Sequence, residues 1–320
     1  MKKKILLLTV VVLSAVLFAV VGCSPEVSRY IGYDEYIDIL PETVPLTAQP
    51  SNSPFRIPMP VASGTNVERA SRAEIDFSNA ADGYVMIRFT AQTDRDVQVV
   101  INCPMGIQYQ YHLDTGGEWE VFPLTGGNGA YRVRIAERVA VGETRFSVVA
   151  SVSLDVVLAD EFAPFLRPNQ FVNFHPRSQA VTLAAELLRG SRNELESVGR
   201  IYTFVTENIE YDFELAATVR SGYVPDIDAV LESGKGICFD YAALMTAMLR
   251  SQGIPTKLVI GYVGNLRHAW ISVHTQDDGW INNIIWFDGE DWHIMDPTFT
   301  AAGATEFTGT GENHNPTHFH

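Results

Sequence analysis

The sequence contains few cysteines, and they lie far apart. Its three cysteines, Cys23, Cys103 and Cys238, are spread over 320 residues without any Cys-x-x-Cys pair. This spacing argues against a zinc site and against a disulfide framework, since both need cysteines at short, regular intervals. Each cysteine therefore needs its own explanation. Cys103 precedes a proline in a strand-rich region, and we predict that it is a buried structural thiol.

Basic residues are also scarce: 23 Lys and Arg stand against 38 Asp and Glu, which gives a formal charge of -15. An acidic protein repels the phosphates of nucleic acid, so we expect no nucleic-acid partner. Charged residues make up only 19% of the chain and apolar residues 46%, a balance typical of folded domains. The length suffices for two domains of ordinary size.

The start of the chain has the pattern of a secretory signal. Three lysines precede an apolar run from Ile5 to Val21, and Gly22 and Cys23 follow it. A basic start, an apolar stretch and small residues before a cleavage site define such a signal. Its ending on cysteine resembles the bacterial lipobox, which implies that the Cys23 thiol is lipidated and becomes the new N-terminus.

We therefore predict a lipoprotein signal peptide at residues 1–22 and a lipid-anchored protein that faces outside the cytoplasm. An uncleaved transmembrane helix is the alternative, but the apolar run is of marginal length for one. Ser24, which follows the cysteine, does not distinguish between an inner and an outer membrane. Residues 23–66 are rich in Pro, Ser and Thr, which is typical of a tether.

Helical periodicity is lacking between residues 67 and 160. Apolar and polar residues alternate instead, as in Val97–Ile101 and Tyr131–Ile135, and glycine-rich turns separate the alternating segments. Period-two alternation indicates antiparallel strands with one face on a core. We predict an antiparallel β-sandwich domain at residues 67–160, with no catalytic group of its own.

The pattern becomes helical after residue 170, and we place the second domain at residues 170–320. Residues 180–188 have helical periodicity and end before Gly190. Ser191 and Glu194 have the spacing of a capping box, which predicts that Ser191 is the N-cap of the next helix.

Cys238 is located at the predicted start of a helix. Apolar residues recur at helical spacing from Tyr241 to Leu249, Gly253 ends the pattern, and Pro255 prevents its continuation. The dipole and the free N–H groups of a helix N-terminus stabilise a thiolate, which is the nucleophilic form of cysteine. The glycines before Cys238 are expected to let a substrate backbone approach closely.

A nucleophilic cysteine needs a base, and the base needs an orienting group. A predicted strand from Lys257 to Tyr262 precedes His268, which opens the next strand, and Asp296 ends a later one. A cysteine on a helix, with histidine and aspartate on neighbouring strands, suits a thiolate–imidazolium pair oriented by a carboxylate. We predict Cys238, His268 and Asp296 as catalytic residues, with no metal and no cofactor.

Four motifs in this order resemble the transglutaminase-like superfamily, whose fold is papain-like. They are Gly236-Ile-Cys238, Gly253-Ile-Pro255, His268-Ala-Trp270 and Asp296-Pro-Thr298. The resemblance covers about residues 180–300 and implies Cys238 as nucleophile, His268 as base and Asp296 as the orienting carboxylate. The expected fold class is α+β: a papain-like, transglutaminase-like domain preceded by the β-sandwich.

The sequence departs from papain-type enzymes at one position. Those enzymes have a glutamine shortly before the nucleophile that helps to form the oxyanion hole, whereas Leu231, Glu232 and Ser233 stand here. The backbone N–H of Cys238 and a second donor can form the hole. Tyr211 is a candidate for that donor, and packing is its alternative role.

Other histidines and acidic residues fit the chemistry less well. His274 is expected at the far end of the strand that begins near His268, no motif supports His293, and turn sequences surround Asp288 and Asp291. Three further histidines are flanked by Gly, Asn, Pro and Thr, which predicts a floppy tail instead of a metal site. They are His314, His318 and His320.

Two functional hypotheses follow from these motifs. The first is a surface-anchored thiol enzyme, namely a cysteine peptidase or amidase. Its substrate would be a protein or peptide, for example a cell-wall or surface protein. Hydrolysis is favoured over cross-linking, because nothing marks a glutamine or lysine pocket. The second is a non-catalytic binding or scaffold module that keeps the fold; the triad favours the first hypothesis, and the missing glutamine leaves the second open.

Overall fold

The structure is a computed structural model that describes residues 55–104, 106–263, 265–282, 285–287, 292–294 and 314–320. The predicted signal peptide, the lipidation site Cys23 and the catalytic candidate Asp296 lie outside these ranges. Among the described residues, no helix combines the length and the apolar character needed to cross a bilayer.

The first part of the described chain is rich in antiparallel strands. Its strands are β1 (Val67–Arg69), β2 (Ala73–Asp76), β3 (Tyr84–Phe89), β4 (Val97–Asn102), β5 (Gln108–His112), β6 (Glu120–Pro123), β7 (Gly129–Arg138) and β8 (Phe146–Val156). They form two four-stranded sheets, in the orders β1-β2-β3-β6 and β5-β4-β7-β8. In β4 buried and half-buried residues alternate, as the sequence predicted, and buried side chains of both sheets belong to one hydrophobic cluster that includes Cys103.

The segments on either side of this β-rich region pack against the rest of the molecule. Before it, the backbone N–H of Val61 donates to the Tyr84 hydroxyl at 3.1 Å, and Ile57 joins the hydrophobic core of the helical region. After it, Val172 and Phe174 are fully buried in that same core. The predicted boundaries at residues 66, 160 and 170 stay predictions.

The second part mixes helices and strands. Its helices are α1 (Gln179–Leu187), α2 (Glu194–Asn208), α3 (Phe213–Thr218), α4 (Ile227–Ser233) and α5 (Cys238–Arg250). Its strands are β9 (Glu210–Tyr211), β10 (Lys235–Gly236), β11 (Thr256–Val263), β12 (Leu266–Thr275), β13 (Gly279–Asn282), β14 (Ile285–Phe287), β15 (Trp292–Ile294) and β16 (His314–Phe319). The main sheet has the order β13-β12-β11-β16, while β9 pairs with β10 and β14 with β15.

Helix α5 is the centre of this region, because it packs against α1, α2, β11 and β12. Every residue from Asp240 to Arg250 is buried. The apolar residues predicted from the sequence therefore cover only part of the buried surface of α5. The rest carries polar groups that must find partners inside the protein, since an unpaired buried polar group costs about 1–3 kcal/mol.

The predicted capping box at Ser191 is wrong by two residues. Asn193 is the N-cap of α2, and its side-chain oxygen accepts a hydrogen bond from the Glu196 N–H at 2.8 Å. Asparagine is as good an N-cap as serine, and Glu196, three residues after it, accepts from the Arg192 N–H at 2.9 Å. The Ser191 hydroxyl is buried without a hydrogen-bond partner.

The predicted floppy tail is also wrong. Residues 314–319 form β16, which pairs antiparallel with β11. His320 follows the strand and exchanges two backbone hydrogen bonds with Leu258, at 2.7 and 2.9 Å. Its side chain is buried at 4% exposure. The flanking residues suggested a flexible segment, but strand pairing and burial of this histidine outweigh their low strand propensity.

Candidate active site

Cys238 is the first residue of α5, as the sequence predicted, and its side chain is half-buried. The segment before it is fixed because β10 pairs in parallel with β9. The Tyr241 hydroxyl, one turn into the helix, donates to the backbone carbonyl of Ile209. These contacts therefore fix the start of α5, where the first N–H groups of the helix adjoin the Cys238 thiol.

Asp240, in the first turn of α5, forms hydrogen bonds that stabilise this end of the helix. Its carboxylate accepts a hydrogen bond from the Ile237 N–H at 2.8 Å and another from the Tyr223 hydroxyl at 2.7 Å. Burial raises the pKa of Asp240, and these two hydrogen bonds partly offset the rise. A Cβ atom on Gly236 would lie 2.7 Å from the Cβ of Asp240. Gly236 thus has a role inside the protein, whereas the sequence predicted a role in the approach of a substrate.

His268 is the third residue of β12 and lies opposite Gly261 of β11. It is buried, with 8% of its surface exposed. Its ring is nearly parallel to that of Trp270, with the ring centres 6.3 Å apart. The His-Ala-Trp motif therefore places the histidine and the tryptophan two residues apart on one strand, where side chains point to the same face.

Cys238 and His268 line the same cavity, which has a volume of about 700 Å³. Helix α5 contributes Cys238 and strand β12 contributes His268. The segment between α3 and α4 contributes residues 219–224. The β-rich region supplies much of the remaining wall. Its contribution consists of Gln98, Gln108, Gln110, Tyr111 and His112.

The segment around β16 completes the wall with His318 and His320. The Tyr111 hydroxyl lies 3.0 Å from Nδ1 of His320, and Nε2 of His318 lies 3.1 Å from the backbone carbonyl of Gln108. Burial, followed by the charges of neighbouring side chains, lowers the pKa of His320 well below its usual range. Burial also raises the pKa of Tyr111. At neutral pH both side chains are uncharged, and their hydrogen bond joins the β-rich region to the β16 segment in the wall of the cavity.

Arg250, at the far end of α5, holds three segments together. Its guanidinium donates to the backbone carbonyls of Arg167 at 2.8 Å, Thr256 at 2.7 and 2.9 Å, and His320 at 2.6 Å. Burial lowers the pKa of Arg250 to about 9, so the group stays charged at neutral pH. Charge-assisted hydrogen bonds of this kind are stronger than those between neutral groups.

Gly261 lies on β11, opposite His268, and lets β16 approach β11 closely. A Cβ atom at this position would lie 2.3 Å from the Asn315 carbonyl oxygen and 2.6 Å from the Trp270 ring. Neither neighbour has room to move, because one is paired backbone and the other is a buried ring. Only glycine fits here.

We expect Gly261→Ala to reduce the free energy of unfolding by about 1–3 kcal/mol, the usual cost of overpacking a filled core. Urea unfolding followed by tryptophan fluorescence measures this change. Gly199→Ala is the matched control, because Gly199 lies inside α2 and a Cβ there meets no atom within 4 Å. The control should be neutral or slightly stabilising, and equal effects of the two substitutions would contradict the role of Gly261.

Two of the three predicted catalytic residues thus reach one cavity, and the third, Asp296, lies outside the described residues. Tyr211 is not among the residues that line the cavity, and its ring contacts that of Phe213 at 4.9 Å. His274 contacts the rings of Phe162 and Trp280 at 4.3 and 5.4 Å, outside the cavity. Within the described chain, no three His, Cys, Asp or Glu side chains are grouped to hold a metal ion.

Sequence reasoning missed the contribution of the β-rich region to the cavity. The glutamines at 98, 108 and 110 occupy the polar positions of β4 and β5. Such positions ordinarily face water. The alternation of the strands identified this polar face but could not indicate that it turns toward Cys238.

Residues 181–297 match the family model described as "Transglutaminase-like superfamily". The chain is 28% identical over 130 residues to a mouse (Mus musculus) protein named "Kyphoscoliosis peptidase"; the match covers 37% of this chain and 17% of the mouse protein. It is 29% identical over 133 residues to "Protein-glutamine gamma-glutamyltransferase" of Pseudomonas aeruginosa, over 40% of this chain and 19% of that protein. The chain thus spans less than a fifth of the length of these relatives.

Solved structures with partial similarity include one described as "a Putative Cysteine Protease from Cytophaga hutchinsonii". Its TM-score is 0.37 at 14% identity, over 79% of this chain and 78% of that one. The structure of red sea bream transglutaminase has a TM-score of 0.28 at 13% identity, over 63% of this chain and 47% of that one.

Proposed function

Since residues 181–297 of this chain belong to the transglutaminase-like superfamily, we propose that the protein is a thiol acyl-transfer enzyme that acts on amide bonds. In this proposal Cys238 is the nucleophile and His268 its base. One observation supports it above the others: a single cavity is lined by the thiol at the start of α5 and by the imidazole on β12.

The chemistry begins with a proton moving from the Cys238 thiol to His268. The sulfur attacks the carbonyl carbon of an amide, and we assign the stabilisation of the oxyanion to the Cys238 N–H at the start of α5. The C–N bond then breaks, and His268 returns the proton to the leaving amine. The resulting thioester is released by water, which gives hydrolysis, or by a second amine, which gives transfer.

The names of the two relatives correspond to these two fates of the thioester, since one is a peptidase and the other a glutamyltransferase. We favour hydrolysis of a protein or peptide, including cell-wall and surface proteins, because water always reaches a site outside the cytoplasm. Asp296 is proposed as the carboxylate that orients His268. The two sheets of the β-rich region are proposed to form a sandwich that serves as a wall of the substrate cleft.

Acylation by p-nitrophenyl acetate tests the proposal without knowledge of the natural substrate. Attack by Cys238 releases nitrophenol and leaves one acetyl group on the sulfur, which peptide mass spectrometry locates. We expect a burst of about one equivalent and an acetyl group on Cys238, while the buried Cys103 stays unmodified. Faster release of the acetyl group on addition of a primary amine would indicate transfer.

Absence of the acetyl group from Cys238 at every pH between 6 and 8 would contradict catalysis. The non-catalytic alternative, a surface module that binds or scaffolds other proteins, would then replace it.

The lipid anchor is a further part of the proposal, and it rests on the lipobox that ends at Cys23. We expect the mature protein to begin at Cys23 in its native host and to partition into detergent. Cys23→Ala should block both the lipidation and the cleavage that depends on it, whereas Ser24→Ala should leave them intact. An unmodified N-terminus at any other residue in the mass spectrum would contradict the anchor.

A further inference from the structure

The cavity around Cys238 differs in charge from the protein as a whole. The chain carries a formal charge of -15, yet the described residues that line this cavity include no Asp, Glu or Lys. Among these described lining residues, Arg220 and Arg267 are the two that are permanently charged. An arginine pair in a cleft of an otherwise acidic protein creates a local positive potential that favours anionic ligands.

Arg220 lies on a segment whose position is fixed on both sides. Two residues further on, Gly222 has a φ of 89°, and a Cβ atom there would lie 2.9 Å from the His112 ring. Tyr223 holds the next position through its hydrogen bond to Asp240 at 2.7 Å. The backbone that carries Arg220 is therefore attached both to the β-rich region and to the start of α5.

Arg267 precedes His268 on β12 and lines the same cavity as the 219–224 segment. Its charge contributes to the lowered pKa of the buried His320, after burial and the charges of His318 and Arg250. Both arginines are exposed, and neither forms an ion pair with a described residue. Each guanidinium carries five N–H donors that suit a carboxylate.

Several acidic side chains lie near the cavity without lining it. Asp114, Glu118 and Glu120 line an adjoining cavity of about 540 Å³, which shares His112 and Gln170 with the first. Asp96 contacts the His112 ring at 2.8 Å, and the Ile237 N–H and the Tyr223 hydroxyl bind the Asp240 carboxylate. Of the charged groups described here, the two arginines are therefore the ones that line the cleft itself.

We propose that Arg220 and Arg267 form a carboxylate-binding subsite, so that the preferred acyl donor is an acidic peptide with an Asp or Glu side chain next to the scissile amide. This inference rests on the proposed function, because it assigns a substrate class to the same cleft. Arginine suits the role, since its planar guanidinium binds a carboxylate through two parallel hydrogen bonds.

Two alkylating reagents that differ only in a carboxylate test this subsite. Iodoacetate and iodoacetamide both form an S–C bond with Cys238 and release iodide, but only iodoacetate carries a negative charge. The measured quantity is the ratio of their rate constants at Cys238, resolved by peptide mass spectrometry, in the native protein relative to the urea-unfolded protein. Unfolding removes the subsite and leaves the intrinsic reactivity of the reagents.

We expect the native protein to favour iodoacetate by about tenfold relative to the unfolded protein, the lower end of the gain from electrostatic focusing in a cleft. The ratio should fall in Arg220→Gln/Arg267→Gln, where only the His268 imidazolium and the start of α5 still attract the anion, and should persist in Arg220→Lys/Arg267→Lys, which keeps both charges. Arg189→Gln is the control, because Arg189 is exposed and does not line the cavity. High salt should weaken the preference, because it screens exposed charges.

A native ratio near one, or a ratio that the double glutamine variant leaves unchanged, would overturn the subsite. Acetylation of Cys238 by the neutral p-nitrophenyl acetate separates this failure from that of the proposed function. If acetylation proceeds and the alkylation ratio is near one, only the carboxylate subsite is wrong. If acetylation fails while the preference for iodoacetate still depends on Arg220 and Arg267, the subsite stands as a binding site and the enzyme is wrong.

Discussion

Replacing Cys238 by alanine is expected to reduce amide hydrolysis by about a thousandfold or more, because the acyl intermediate has no other sulfur on which to form. His268→Ala should cost about 10²–10⁴-fold, the usual contribution of a general base. Both losses should appear mainly in kcat, since neither side chain is needed to bind the rest of the substrate. Steady-state kinetics on the purified protein measure them.

Cys103→Ala is the matched control for the loss of a thiol. Cys103 is buried in the core of the β-rich region and does not line the cavity, so its removal should leave kcat within a few-fold of the wild type. Asp296→Asn should reduce kcat less than His268→Ala if the carboxylate only orients the imidazole. Full activity of the Cys238→Ala protein would exclude Cys238 as the nucleophile.

Replacing Arg250 by methionine is expected to have the largest effect on stability. Methionine fills much of the space of the arginine stem, but it leaves the carbonyls of Arg167 and Thr256 without this donor. The His320 carbonyl loses its bond to Arg250 and keeps the one from the Leu258 N–H. Unpaired buried carbonyls cost about 1–3 kcal/mol each, and part of this cost is recovered because a buried charge is removed. We expect the free energy of unfolding to fall by about 2 kcal/mol or more, as measured by urea denaturation.

Arg189→Met is the control, since Arg189 is exposed and an exposed change of this kind usually costs less than about 0.5 kcal/mol. Cysteine alkylation gives a second readout, because loss of the bond to His320 should loosen the β16 segment and alter access to Cys238. A stability loss below about 1 kcal/mol would show that water or a rearranged backbone satisfies the carbonyls of Arg167 and Thr256.

The helix that begins at Cys238 and the strand that carries His268 were more predictable from the sequence than the other walls of the cavity. Cys238, Tyr241 and the residues after them have helical spacing and clear end signals, and the strands around His268 are strongly apolar. These are local patterns, so each could be interpreted without knowledge of the fold. The resemblance to the transglutaminase-like superfamily rests on the same short segments, and the family match at residues 181–297 confirms it.

The parts that could not be predicted depend on contacts between distant residues. The glutamines of β4 and β5 have the pattern of a solvent-exposed face, and only the fold of the whole chain makes them line the same cavity as Cys238. His318 and His320 follow a polar segment with low strand propensity, yet pairing with β11 orders them. The position of the N-cap at Asn193 was missed for a simpler reason: two good capping residues lie close together, and local rules do not decide between them.

The hydrogen bond between Tyr111 and His320 spans 209 positions of the chain, and this separation has a consequence for how the protein matures. Contacts between such distant residues form late, because bringing them together costs loop entropy that short-range contacts do not. Residues 314–320 are also synthesised well after Cys238. A nascent or partly folded chain therefore contains the thiol before it contains the complete cleft. If Cys238 is the nucleophile that we propose, we expect this order of events to keep it inactive until folding is complete and so to protect the unfolded chain from acyl transfer.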